Sequence, residues 1–287
     1  DDDRLHGRFL IHGTTSGRLS SAEPNAQQIP KTSVDPNIKK QLVAPKGTLY
    51  IASDFSQAEL RIMAHLSGDE TYLNAFNSGQ DPHLAIAATK YHVPYEEALK
   101  IYEDENHPDH KIWKVRRKQA KQIAFGLIYG IGAKLLAVKL SDPKSGIIVT
   151  PEEAQKEMDI FFGQHPKLKT FLKKQEKFHR KNGYLVSLFG RKRRLPQIYS
   201  SDRGEEAYAL RLALNFPCQS AASDMCLFES ILIYYLMRQG KLPPTKSVCL
   251  VHDANYQITK PENINTWSIY EMWQIYRNPL TKPYFGF

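Results

Sequence analysis

The chain of 287 residues carries 39 Lys and Arg against 30 Asp and Glu, a net charge of +9, with 41% hydrophobic and 24% charged residues. This describes a soluble globular protein with room for a full core in one large domain or two smaller ones, and a basic balance that favours an anionic partner, most often nucleic acid. It excludes a structural zinc, because Cys218, Cys226 and Cys249 form no CxxC pair, and a spanning helix, because the longest apolar run, Met225 to Met237, is short and broken by Glu229 and Ser230.

Residues 1 to 47 are rich in turn formers and short extended runs. Within them TTSGRLSSAEPNAQQIP, residues 14–30, is polar and punctuated by Gly and Pro, with Arg18 near its centre. It reads equally as a surface loop or as a segment laying Arg18 and Gln27 or Gln28 along a nucleic-acid groove. Thr48 to Ser53 is strand-like and ends at Asp54, after which FSQAELRIMAHLSGD reads as a helix with Leu60, Met63, Ala64 and Leu66 on its apolar face and Gly68 at its stop. A carboxylate between strand end and helix start is a common metal or catalytic position, and Asp is also a good helix cap. Glu59 stands out among apolar neighbours. Asp81-Pro82-His83 opens another helical run, placing Pro82 at a first helical position and His83 where it can meet an anion.

After a polar, locally acidic stretch up to His110, a helix is predicted from Trp113 to Tyr129, ending at Gly130. On it Arg117, Lys121, Phe125 and Tyr129 recur every four residues, so they fall in one stripe about 18 Å long. Two cations followed by two rings suit a nucleoside triphosphate, since Arg and Lys pair with phosphate oxygens and rings stack on bases. The same stripe suits an amphipathic helix with a basic rim and an aromatic core contact. Thr150-Pro151-Glu152-Glu153 is a capping signal for a helix to about Phe162, and Pro166 begins another that carries Lys173, Lys174, Lys177, Arg180 and Lys181 before Gly183 ends it.

YLVSLFG, residues 184–190, reads as a strand leading into the cation cluster Arg191-Lys192-Arg193-Arg194, which is either a solvated turn or a phosphate contact. Glu205 to Gln239 is largely helical, with Arg211, Asn215 and Gln219 on one face, able to reach base edges or sugars. SVCLVHDANYQI, residues 247–258, reads as strand, tight turn and strand, the turn being His252 to Asn255. Two aspartates at strand ends, Asp54 and Asp253, with a cationic helix and a basic surface, make the parts of metal-assisted phosphoryl or nucleotidyl transfer.

DFSQAELRIMAHLSGD, RRKQAKQIAFGLIYG and LVHDANYQI resemble motifs A, B and C of the family A DNA polymerases, the group of bacterial DNA polymerase I and its phage and organelle relatives. SGRLSSAEPNAQQIP and LFGRKRRLP match two further stretches, and the five lie in the family's order over roughly residues 14–258. The resemblance implies an α+β fold, a right-hand palm with an antiparallel sheet and helical fingers: palm over 1–70, fingers over 71–182, palm again over 183–287. It implies template-directed addition of dNTPs to a primer 3′-hydroxyl with two Mg²⁺ ions, Mn²⁺ being an alternative, on a DNA primer-template. Asp54 and Asp253 resemble the metal-binding aspartates; Arg117 and Lys121 the triphosphate ligands, with His83 a helper; Phe125 the residue under the sugar; and Tyr129 the ring closing the base-pair pocket. Glu59 resembles the side chain that blocks a ribose 2′-hydroxyl, and Gln57 joins the nucleotide site. Arg18, Arg211, Asn215, Gln219 and His252 resemble primer-template contacts, and Arg191 and Arg193 are added to them from the cation cluster.

Two positions depart from the family pattern. Ala254 stands where Glu usually follows the motif C aspartate, implying impaired but not abolished catalysis, and Ala124 replaces the Asn common before Phe125. The exonuclease and thumb regions that precede the Arg18 segment in the family find no room, so a fragment is expected that lacks editing and partners such regions of a longer polymerase or a replisome component. The expected compartment is bacterial or phage-infected cytoplasm, or an organelle matrix, with no membrane. Competing readings are a primer-template-binding protein that has lost catalysis, to which Ala254 points; a single-subunit RNA polymerase, against which Glu59 and Phe125 argue; and, more distantly, a phosphotransferase, although no GxxxxGK[ST] loop is present.

Overall fold

The computed structural model of the chain describes residues 2, 4–29, 34–141, 148–251 and 254–267. By contact density the chain divides into two compact units, one of residues 1–59, 186–193 and 218–287, the other of residues 60–185 and 194–217. The boundaries expected from sequence lie after residues 70 and 182. Among the described residues no helix is long and apolar enough to cross a membrane.

The first unit is built on a three-stranded antiparallel sheet with strand β3 (Leu49–Asp54) and strands β6 (Lys246–Val251) and β7 (Ala254–Thr259) in the order β3-β7-β6. Register is unambiguous because β7 alternates: Asn255, Gln257 and Thr259 are buried, whereas Ala254, Tyr256 and Ile258 point to the more open face. Opposite them on β3, Asp54 pairs with Ala254, Ala52 with Tyr256 and Tyr50 with Ile258. The ladder to β6 begins at Val251 opposite Ala254, so Ala254 and Asn255 belong to the strand and not to the turn expected there. His252 and Asp253 lie outside the described residues. Ile233, Leu242 and Trp267 form a core cluster, with Ile51, Leu236 and Met237 packed on it. A short hairpin, β1 (Arg8–Leu10) and β2 (Ser20–Ala22), and helix α1 (Pro36–Lys40) complete the N-terminal part.

The second unit is helical. Helix α2 (Ala58–Ser67), most of which belongs here, buries Leu60, Ile62, Met63 and Ala64, and Gly68 beyond it takes a left-handed φ. Then come α3 (Glu70–Asn77), α4 (Pro82–Lys90), α5 (Tyr95–Glu103), α6 (His110–Ile128) and α7 (Ala133–Leu140). Helix α6 buries Trp113, Ala120, Ile123, Ala124 and Leu127 and exposes Lys114, Lys118 and Lys121, which is the amphipathic spacing of a helix packed on one side. Helix α8 (Pro151–Gln164) starts with the expected capping box: Thr150 Oγ1 accepts the Glu153 N–H, and Glu153 Oε2 accepts the Thr150 N–H. Helix α9 (Pro166–Asn182) ends at Gly183 at φ 68°.

The 184–190 strand is shorter than expected. Strand β4 is only Tyr184–Val186, pairing with β5 (Lys192–Arg194), and residues 187–191 form a turn in which the Ser187 and Arg191 backbones bond and Gly190 sits at φ 85°. The cation cluster is therefore a turn only at Arg191; its other three members are strand. Helix α10 (Arg203–Arg238) holds Pro217 in its interior, where the missing N–H removes a backbone bond, and the division between units falls between Pro217 and Cys218. Cys218 and Cys226 are buried and Cys249 is half-buried.

Candidate active site

In the first unit Asp54 is the last residue of β3 and is exposed on the open face of the sheet. Helix α2 begins only at Ala58, so Asp54 does not cap it, which removes the capping explanation for this carboxylate. Three residues separate the strand from the helix, and the last, Gln57, holds a left-handed φ of 56°. That conformation costs a non-glycine residue about 1 kcal/mol, and the Gln57 Oε1 is buried without a hydrogen bond among the described residues. Directly across the ladder Ala254 contributes no side-chain oxygen, so of these two opposed residues Asp54 supplies the carboxylate for a hard cation. No group of three or more His, Cys, Asp or Glu side chains gathers as a metal site among the described residues. A carboxylate on an open face, with positions left for substrate oxygens, suits Mg²⁺, which takes few protein ligands and completes its shell with phosphate and water.

Glu59 lies in the first turn of α2, its side chain 15% exposed, and accepts a 2.5 Å bond from Nη2 of Arg18. Two residues expected in separate roles are thus joined. The Arg18 carbonyl accepts the Thr14 hydroxyl at 2.7 Å, closing the 14–18 loop. Gln27 does not project freely: its side-chain amide donates to the Leu250 carbonyl of β6 at 2.9 Å, tying this segment to the strand that leads to Asp253. Burial raises the Cys218 thiol far above its ordinary pKa, with the Glu59 charge adding to the effect.

In the second unit the four-residue stripe of α6 forms as predicted. Lys121 Nζ lies 5.7 Å from the Phe125 ring centroid, and the Phe125 and Tyr129 centroids are 5.8 Å apart. His83, from the first turn of α4, extends the run with its ring 5.7 Å from Phe125. At 1% exposure, neither of its ring nitrogens finds a hydrogen-bond partner among the described residues. Burial drives its pKa down to about 4; Asp81 opposes this, and Arg117 and Lys121 reinforce it. The imidazole is neutral at physiological pH.

Arg117 holds Asp81 with both ends of its fork, Nε to Oδ1 at 3.1 Å and Nη2 to Oδ2 at 2.6 Å. Asp81 also caps α4, its Oδ1 accepting the Leu84 N–H at 2.8 Å. Burial disfavours the Asp81 carboxylate, but the Arg117 and Leu84 bonds outweigh this and hold its pKa below the ordinary range; the same pair holds the Arg117 guanidinium above its own. In the sequence Asp81 reads only as a helix opener. Its second role has no local signal, because its partner lies 36 residues on.

Of the nucleic-acid candidates, Arg211 is exposed on α10, its Cγ 3.5 Å from where a Cβ on Gly130 would sit, beside Tyr129. Asn215 is half-buried with Oδ1 unbonded among the described residues, and Gln219 follows on the other side of Pro217. Arg193 is the half-buried member of β5. Arg191 donates to Asp224, a partner the sequence did not indicate.

The sequence profile of DNA polymerase family A matches residues 1–268. The chain is similar to the thermostable DNA polymerase I of Thermus aquaticus, 34% identical over 232 residues, which are 80% of this chain and 25% of that protein. It is similar to DNA polymerase I of Mycobacterium tuberculosis, 34% identical over 254 residues, 88% of this chain and 26% of that protein. Among solved structures, the POL domain of Pol1 from M. smegmatis in complex with DNA primer-template and dNTP matches with a TM-score of 0.81 and 31% identity, over 94% of this chain and 44% of that one. The chain spans about a quarter of the length of these curated relatives. With its antiparallel sheet, its helical unit and a profile match over nearly its whole length, the chain belongs to DNA polymerase family A.

Proposed function

We propose that the chain supplies the palm and fingers of a template-directed DNA polymerase. The reaction is attack of a primer 3′-hydroxyl oxygen on the α-phosphorus of a dNTP: the new O–P bond forms, the bond to the β-phosphate bridging oxygen breaks, the 3′-hydroxyl proton is lost and pyrophosphate leaves. The observation that carries this reading is Asp54, a carboxylate on the open face of the palm-like sheet that caps no helix. With Asp253 it would hold two Mg²⁺ ions, or Mn²⁺, which when bound supply Lewis-acid polarisation of the phosphoryl oxygens.

The other residues divide the work of binding. Lys121 neutralises triphosphate charge as a mobile point cation, while Arg117, whose five donors include Nε and Nη2 committed to Asp81, turns its remaining N–H groups to phosphate. Phe125 packs under the sugar and Tyr129 against the base pair, with neutral His83 fixing the Phe125 ring edge. Glu59 rejects a 2′-hydroxyl, Gln57 supports the nucleotide from the same turn, and Arg18, Arg211, Asn215, Gln219, Arg193 and His252 contact primer-template. Partners are a DNA primer-template, a dNTP and further regions of a longer polymerase.

The test is extension of a labelled primer-template with dNTPs and Mg²⁺, comparing the chain with Asp54→Ala and Asp253→Ala. Extension abolished by either substitution supports the reading; extension untouched by both overturns it. A second reading, primer-template binding without catalysis, is favoured by Ala254, which leaves the position opposite Asp54 without a carboxylate. Binding with no metal-dependent extension, even after Ala254→Glu, would select it. Incorporation of rNTPs as readily as dNTPs would instead select the RNA polymerase reading.

A further inference from the structure

The turn at residues 187–191 places Arg191 against a glycine. Its guanidinium occupies the space where a side chain on Gly17 would begin: a Cβ there would lie 2.4 Å from Cζ and 2.6 Å from both Nε and Nη2. Gly17 is also at φ 86°, so any other residue would be strained there as well as obstructed. The guanidinium is held from its other side by Asp224, a buried residue of α10 whose side chain is 8% exposed and whose carboxylate accepts from Nη2 at 2.7 Å. One helical turn further on, Phe228 meets Phe189 of the same turn edge-on at 5.1 Å. Backbone and side-chain bonds between Ser187 and Arg191 keep the turn closed. The residue after Gly17 is Arg18, whose guanidinium reaches Glu59.

A phosphate ligand needs a guanidinium free to face solvent and anion. The Arg191 side chain is 41% exposed, but its Nη2 is committed to a buried carboxylate and the Nε edge of the fork lies against the Gly17 backbone, the arrangement of a bracket open to solvent on one side only. We propose that Arg191 is a positioning residue: clamped by Asp224, it presses on Gly17, sets the backbone of the 14–18 loop and thereby fixes the Arg18–Glu59 contact that presents the sugar-reading carboxylate. The role assigned to Glu59 rests on the proposed polymerase function; the clamp itself does not.

Two readouts separate these layers. Hydrogen exchange of the backbone amides of residues 14–22 reads the clamp without any activity: Arg191→Ala and Asp224→Asn should each accelerate it about tenfold, and Arg191→Lys, which keeps the charge but loses the planar fork, should not restore protection. In primer extension the same three variants should relax the preference for dNTP over rNTP, again by about tenfold, while the salt slope of primer-template binding stays that of the parent chain. The phosphate-ligand alternative predicts the reverse in every arm. Asp224→Asn would be silent, Arg191→Lys would restore function, and Arg191→Ala would lower the salt slope by about one; that pattern overturns the proposal. Asp224→Asn is nearly isosteric, so it decides the matter even if Arg191→Ala folds poorly. If the chain extends nothing, even after Ala254→Glu, the polymerase reading fails, and the exchange arm still decides whether the clamp exists.

Discussion

Helix α6 and the sheet strand β3 carry their candidate chemistry in opposite ways. On α6 the stripe is braced from outside: Arg117 is gripped at two points by Asp81, and Phe125 sits in a run of rings from His83 to Tyr129. On β3, Asp54 ends a strand on an open face, opposite a methyl group. A binding surface for a flexible polyphosphate gains from groups fixed beforehand, because the entropy of ordering them has already been met in folding. A metal ligand whose shell is completed by substrate needs an open side more than a rigid one. The two regions should therefore fail differently when altered.

The largest effect is expected at the open carboxylate. Asp54→Ala removes the proposed metal ligand without disturbing a helix cap, so primer extension should fall by about a thousandfold or more while the midpoint of thermal unfolding stays within a degree or two. A comparable fall in unfolding temperature would show that Asp54 is structural after all.

On α6 the two cations should separate. Lys121→Ala should cost extension about a hundredfold and leave stability nearly unchanged, since the ammonium is exposed and only rests near the Phe125 ring. Arg117→Ala strands the partly buried Asp81 carboxylate and should cost about 1–2 kcal/mol of stability as well as activity. Asp81→Asn in the same background, keeping an N-cap acceptor without the stranded charge, should recover part of that loss. Urea denaturation reads both.

His83 gives the braced side a pH signature. Its folded pKa is about 4 against an ordinary 6.5, so below pH 6.5 the unfolded chain takes up a proton that the folded chain refuses. Its contribution to stability is fully present above pH 6.5 and is lost as pH falls toward 4, by about 3 kcal/mol at most. His83→Phe should flatten this part of the stability profile between pH 6.5 and 4; an unchanged slope would show that another group, such as His179, whose pKa burial also lowers, sets it.

Much of the braced side was legible because it is periodic. A four-residue spacing survives any tertiary context, and so the stripe, the capping box at Thr150 and the stop at Gly183 all stand where the residues put them. The short helices α3 and α7 escaped notice: eight residues hold too few repeats for periodicity to register, and Gly132 supplies no side-chain cap to announce α7. What the chain could not announce locally were the partners: Asp81 for Arg117, Asp224 for Arg191, Glu59 for Arg18, separated by 36, 33 and 41 residues. A run of four cations carries no trace of the buried carboxylate that its first member meets, so the Arg191–Asp224 pair has no local signal. The strand at 184–190 failed for a related reason, since apolar content suggested a strand where Gly190 and Ser187 had already committed the backbone to a turn.

The smallest expected effect tests the comparison most sharply. Residues directly opposed in an antiparallel ladder share one face with Cβ atoms about 5 Å apart, so Ala254→Glu sets a second carboxylate beside Asp54. Without metal, two like charges so placed should cost up to about 1 kcal/mol, a fall of a few degrees in unfolding temperature in EDTA. With Mg²⁺ the pair has a cation to share, and the fall should shrink or reverse while extension rises about tenfold, roughly 1.4 kcal/mol of barrier. The sign change between EDTA and Mg²⁺ matters more than either magnitude. A pair that is repelled without the ion and reconciled by it marks the open face as a cation site; a substitution equally costly in both, with no gain in extension, would mean that the face around Asp54 serves the fold and that the metal chemistry lies elsewhere.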